Sequence, residues 1–146
     1  MDKAKTIAAI RQRFERAKED LETARLDLSG EKWRAAAIRA YYAAFHVASA
    51  ALLWRGEERA KHSGVQSSFG ELFIKTGEIE PEYGKIYVKA RRLREASEYE
   101  FEGEPLKGTD ARRIVADAER FVTRIEKYLR EAGAIREKPA SEKEKK

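Results

Sequence analysis

The sequence predicts an all-α protein, an antiparallel (up-and-down) four-helix bundle with one additional short helix. Apolar residues recur at steps of three and four in several long segments, the period of one helix face. No segment shows the strict alternation of a half-buried strand. Only three prolines and nine glycines punctuate 146 residues, and they fall mainly between the periodic segments.

The first helix spans Ala4 to Leu28, where Ile7, Ile10, Phe14, Ala17, Leu21, Ala24 and Leu28 form one stripe opposite a face of Lys, Arg and Glu. Ser29-Gly30 breaks it, with Gly suited to a helix end and Ser to capping a new start. The second helix, Glu31 to Trp54, is apolar nearly all round and ends at Gly56. A helix without a polar face must be covered on every side, and neighbours within one small bundle cover only part of it. A second copy of the chain is the natural cover for the rest, so a homodimer through residues 31–54 is expected. A charged linker, Glu57 to Lys61, leads to the short helix, Ser63 to Thr76, which carries Val65, Phe69, Leu72 and Phe73 and stops at Gly77.

Pro81 suits the first turn of a helix that runs to about Tyr99, with Tyr83, Ile86, Tyr87, Ala90 and Leu93 inward. Phe101 to Thr109 reads as a loop. Asp110 is the expected cap of the last helix, whose stripe is Ile114, Ala118, Phe121, Ile125 and Tyr128, flanked by Val115, Val122 and Leu129. Residues 1–132 therefore form one domain, and residues 133–146 a charged tail expected to be disordered.

Composition narrows the function. The absence of cysteine excludes a disulfide framework, a thiolate metal site and a cysteine nucleophile. The two histidines fall on different predicted elements, and there is no phosphate-binding glycine loop or Gly-x-Ser-x-Gly turn. The Ala35–Trp54 run is long enough for a bilayer but carries Arg39 and His46 near its middle. A buried helix of a cytoplasmic protein is expected rather than a membrane span. The net charge of +5 permits contact with nucleic acid without establishing it.

One segment concentrates chemistry: Arg39-Ala-Tyr-Tyr-Ala-Ala-Phe-His46. Seven residues make nearly two helical turns, so Arg39 and His46 project from one face. Arginine grips phosphate and histidine moves protons near neutral pH, yet both are costly in apolar surroundings unless paired or used. Tyr42 lies nearer this face than Tyr41 and is the better placed of the two to stack on a base. His62 either caps the short helix or lines the same cleft. Arg91, Arg92 and Arg94 form a basic cluster that is either a solvated face or a path for an RNA backbone.

The chain resembles the HEPN family. The resemblance is carried by Arg39-Ala-Tyr-Tyr-Ala-Ala-Phe-His46, by Lys61-His62-Ser63-Gly64-Val65 with Phe69 and Gly77, by Leu93-Arg94-Glu95-Ala96-Ser97-Glu98-Tyr99, and by the Ala118–Leu129 stripe. It covers roughly Ala4 to Leu129, and the chain looks like the small stand-alone members of prokaryotes. It implies a helical bundle that dimerises through the motif helix. It also implies a metal-independent, cofactor-free endoribonuclease of toxin or stress-response type, in which Arg39 and His46 are catalytic. Tyr42, His62 and Arg94 are the further candidates for RNA or nucleotide binding. A minimal nucleotidyltransferase antitoxin is the partner the resemblance suggests. The alternative is a non-catalytic module that binds a nucleotide or such a partner. Two positions depart from many active members: Ala40 stands where a polar residue usually follows the arginine, and Ala48 stands where some toxins carry a modified tyrosine.

Overall fold

The computed structural model describes residues 2–58, 61–98 and 105–135. Among them are five α-helices and no strand: α1 (Lys3–Ser29), α2 (Trp33–Trp54), α3 (His62–Phe69), α4 (Pro81–Glu98) and α5 (Gly108–Glu131), with a π-helical turn at Gly70–Ile74 after α3. Ion pairs set the directions. Lys18–Glu126 and Arg25–Glu119 run α5 antiparallel to α1, and Arg120–Glu82 with Arg124–Glu80 run it antiparallel to α4.

The middles of the expected stripes are buried, while Ile7, Leu28 and Tyr128 at their ends are only partly so. Ile10, Phe14, Ala17, Leu21 and Ala24 face inward from α1, and Ile114, Ala118, Phe121 and Ile125 from α5. The structure departs from expectation at several places. On α4 the inner row continues through Arg94 and Ser97, while Leu93 is only half-buried. Asp110 does not cap α5: the helix starts at Gly108, and Asp110 sits in its first turn near the positive end of the helix dipole. Gly108 is required there because a Cβ would lie 2.9 Å from the Trp33 ring. The chain also stays packed past residue 132, since Ala134 is buried and Ile135 rests on the core. Tyr99, residues 101–104 of the Phe101–Thr109 loop, part of the Glu57–Lys61 linker and the tail from residue 136 lie outside the described residues.

The ends of α2 and α5 share one motif, and the end of α1 reaches it differently. At Gly56 and Gly133 a left-handed glycine lets its own amide and that of the next residue bond back to orphan carbonyls. At the end of α1 the same pair of bonds forms, Glu31 to Leu28 and Lys32 to Asp27, but the left-handed position falls on Glu31 (φ 56°), one residue beyond Gly30. A side chain in that conformation is strained. Replacing Glu31 by Gly is therefore expected to stabilise the protein by about 0.5–1 kcal/mol, read as a higher urea midpoint at unchanged slope.

The sequence expects neighbours within one bundle to cover α2 only in part, and the position of this helix shows which part they cover. It is the central helix, meeting α1, α3, α4 and α5 of its own chain. Its inward faces are largely alanine, from Ala36 and Ala37 through Ala51, and so slim a helix lets the diagonal partners α2 and α5 meet across the centre. By length and composition α2 passes as a membrane span, but 61% of its most apolar window is buried inside the bundle, as in a core helix. One chain thus accounts for most of the apolar character of α2. Between its first and last turns, what stays open is a single stripe, Ile38, Arg39, Tyr42, Phe45, His46 and Ser49.

Candidate functional site

That half-open stripe carries the Arg39–His46 pair, and the bundle adds a carboxylate to it. Asp20, on the neighbouring face of α1, places Oδ1 3.3 Å from Arg39 Nη1 and Oδ2 3.5 Å from His46 Nε2. One carboxylate spans both motif residues. Ala43 falls between them on α2, and Ala17 and Ala24 flank Asp20 on α1; all three are fully buried. Small residues on both helices let the backbones approach closely enough for a short Asp to reach across. The Arg39 side chain nonetheless remains 50% exposed, against 19% for His46 and 13% for Asp20. The arginine is paired but open to solvent, which is not the closed ion pair that a purely structural role would produce.

The electrostatics of the two histidines are similar. His46 is held down to about 4, chiefly by burial and then by the nearby Arg16, Arg13 and His62. The Asp20 carboxylate pulls the other way, but at 3.5 Å it is a long contact, and burial with the arginines outweighs it. His46 is therefore a neutral imidazole at pH 7. Burial pushes the Asp20 carboxyl up, against the pull of Arg39. Arg13, Arg16 and Asp20 share one edge of α1 at helical spacing, so α1 lends this face two further cations.

His62 does not cap α3; no side chain caps that helix. Instead its ring stacks on Phe45, with centroids 4.3 Å apart, and its Nδ1 lies 2.6 Å from the Tyr41 hydroxyl. With the phenol donating, Nδ1 accepts and the proton of the neutral ring resides on Nε2. Burial, then Arg94 and Arg91, lower the affinity of His62 for a second proton. Tyr42 lies edge-on to His62 at 5.8 Å and tilted against His46 at 6.4 Å, joining the two histidines into one aromatic surface. Tyr41 is buried beneath it, in contact with Tyr87.

Arg94 does not lie on an open basic path. It is buried, with its guanidinium carbon 4.9 Å above the Tyr41 ring and 5.9 Å above Tyr42, and with Nη1 on Glu98 at 2.9 Å. Arg91 pairs with Gln66 and Glu95, leaving Arg92 as the exposed member of the cluster. Arg39, His46, Tyr42 and His62 are thus brought to one surface, and Arg94 supports it from below. Sequence reasoning misses Asp20, Arg13 and Arg16. The available signal is a row of charged residues at the edge of the α1 stripe, which helical periodicity alone does not distinguish from a solvated face. Among the described residues no cluster of His, Asp and Glu side chains gathers at metal-binding spacing.

Depression of the His46 pKa has a measurable consequence. An unfolded histidine takes up its proton near 6.5, whereas the folded one does so near 4. Between those values the unfolded chain binds more protons, so the contribution is complete above pH 6.5 and is lost as pH falls through 4. A loss of about 3 kcal/mol from His46 is expected over that window. His62 adds a contribution of the same sign, and Asp20, pushed up, one of the opposite sign. Urea titrations at pH 7, 5.5 and 4 should give a shallower pH slope for His46→Gln than for the wild type.

The fold and this constellation define a class: a small helical bundle with an Arg–His pair on its central helix. The HEPN domain model matches residues 10–128, which takes in every residue of the constellation. The chain belongs to the HEPN family. It is 39% identical over 122 residues to a candidate toxin of Methanocaldococcus jannaschii, a match covering 84% of this chain and 90% of that protein. A UPF0332 protein of Thermotoga maritima is 39% identical over 118 residues, covering 78% of this chain and 86% of the relative. A second candidate toxin of M. jannaschii is 30% identical over 116 residues, covering 80% and 78%.

Proposed function

We propose that this protein is a metal-independent endoribonuclease of toxin type that acts in the cytoplasm as a homodimer through α2. The observation that carries this reading is the convergence of Arg39 and His46 on Asp20 at a half-open, cationic face. The toxin assignment draws on the names of the two M. jannaschii relatives.

The chemistry follows from the groups present. A neutral His46 takes the proton of a ribose 2′-hydroxyl, and the 2′-oxygen attacks the adjacent phosphorus. The bond from phosphorus to the 5′-oxygen breaks, leaving a 2′,3′-cyclic phosphate and a 5′-hydroxyl. That leaving oxygen needs a proton donor, which one histidine acting as base cannot supply in the same turnover. A two-fold dimer supplies a second His46, whose proton affinity rises next to the substrate phosphate. Arg39 neutralises charge on the phosphate in exchange for its hold on Asp20, and Arg16 extends the cationic surface. Asp20 acts as a positioning residue that orients both. Tyr42 and the Nε2–H of His62 are the base- or phosphate-contacting groups beside it. The uncovered α2 stripe is where the second copy docks. A minimal nucleotidyltransferase antitoxin is the partner that would restrain such an activity.

The test is incubation of the purified protein with total RNA in EDTA, beside sedimentation measurements of its oligomeric state. Cleavage by a dimer, giving cyclic-phosphate ends, is the expected result. A dimer that binds RNA or nucleotide without cutting would replace this proposal with a binding-module function.

A further inference from the structure

A second surface of the protein is shaped for a ligand and lies apart from the Arg39–His46 face. Between α3 with its π turn and the outer face of α4 runs an open groove of about 1190 Å³. Its walls are mostly apolar and include Ile74, Val88 and Leu93. The two sides approach closely at Gly84, where a Cβ would lie 3.2 Å from Ile74. Gly70 faces open space, with nothing within 4 Å of where its Cβ would stand. Lys85, Lys89 and Arg92 stand along the α4 side, and among the described residues none has a carboxylate at ion-pairing distance. The one acidic lining residue, Glu71, is already paired with Lys75.

We infer that this groove docks an acidic amphipathic helical segment of a partner protein. Three observations select that occupant. The trough exceeds the ~300–1,000 Å³ usual for small-molecule pockets and is open along its length. The lining stretch from Pro81 to Arg92 extends for about 16 Å along α4, the length of three helical turns. Its rim is a row of cations without a carboxylate partner among the described residues, beside an apolar floor, the complement of a helix with leucine-like residues on one face and carboxylates at the margins. RNA is the poorer fit, because the aromatic floor residues Phe69 and Tyr87 are both 1% exposed and offer no free ring face for a base.

The probe is a synthetic amphipathic peptide of about 16 residues with leucines at helical i, i+3, i+4 spacing and glutamates between them. Its affinity for the full-length protein is read by fluorescence anisotropy. Binding weakened about tenfold or more in Lys85→Glu/Lys89→Glu, and equally in Gly70→Leu, is expected. Gly70→Leu is informative because its helical backbone accepts any residue and the added side chain enters the groove instead of the core. Circular dichroism and urea unfolding verify that both variants keep the fold. His46→Ala should bind the peptide like the wild type, which separates this inference from the ribonuclease proposal. Equal affinity for a peptide with lysines in place of the glutamates would overturn it. So would undiminished binding to Gly70→Leu, no binding at about 1 mM peptide, or displacement of the peptide by an RNA oligonucleotide from wild type and His46→Ala alike.

Discussion

His46→Ala is expected to lower RNA cleavage by about 10²–10⁴-fold, the usual contribution of a positioned acid–base group, while RNA affinity changes by no more than about twofold. The split follows from the geometry. The imidazole is buried to 19% exposure and neutral, so it contributes little charge to RNA binding. On the proposed function, RNA affinity rests on the exposed cations, above all Arg39 and Arg16. Arg39→Ala should therefore weaken binding and cleavage together, with a shallower salt dependence of RNA binding. Asp20→Asn keeps the shape of the bridge but removes its charge, and should reduce cleavage less than His46→Ala does. Single-turnover cleavage and equilibrium binding, measured on the same preparations, separate these effects. Equal cleavage by His46→Ala and wild type would remove His46 from the chemistry.

Phe121→Ala is expected to cost about 3–5 kcal/mol of folding free energy, a large part of the stability of a domain this size. Phe121 is fully buried on α5, with its ring centroid 5.5 Å from Phe69, 5.8 Å from Tyr87 and 6.5 Å from Tyr83. It is the point where α3, α4 and α5 lock together. Truncation removes the ring contacts and leaves a cavity enclosed by aromatic neighbours that cannot collapse into it. The effect reaches the candidate site, because Tyr87 contacts Tyr41 beneath His62. Urea unfolding should show a lower midpoint at an unchanged slope, and Phe121→Leu should recover part of the loss.

Helical periodicity determines most of the architecture. The stripes of α1 and α5, the glycine punctuation at residues 56, 77 and 133, and the prominence of Arg39 and His46 are all local properties of the chain. Each follows from which side chains share a face or which residue tolerates a left-handed turn, and both are set within a few residues. The departures are of another kind. Arg94 reads in the sequence as part of an exposed basic cluster, yet it stacks on Tyr41 and Tyr42. A guanidinium can replace an apolar side chain in an inner row when aromatic rings and Glu98 receive it. His62 reads as a possible helix cap and instead accepts a hydrogen bond from Tyr41, a residue 21 positions earlier.

The apolar circumference of α2 says that something must cover it, but only the packing decides that α1, α4 and α5 of the same chain enclose most of it and leave one stripe open. Asp20 is invisible as a site residue in the sequence, being one carboxylate on the charged side of a long helix. Sequence alone thus determined the helices, their inward faces and the pair of residues most able to do chemistry. Only the tertiary structure decided what meets that pair. Which groups face each other across two helices depends on their mutual rotation and separation, and these are set by packing between residues far apart in the chain.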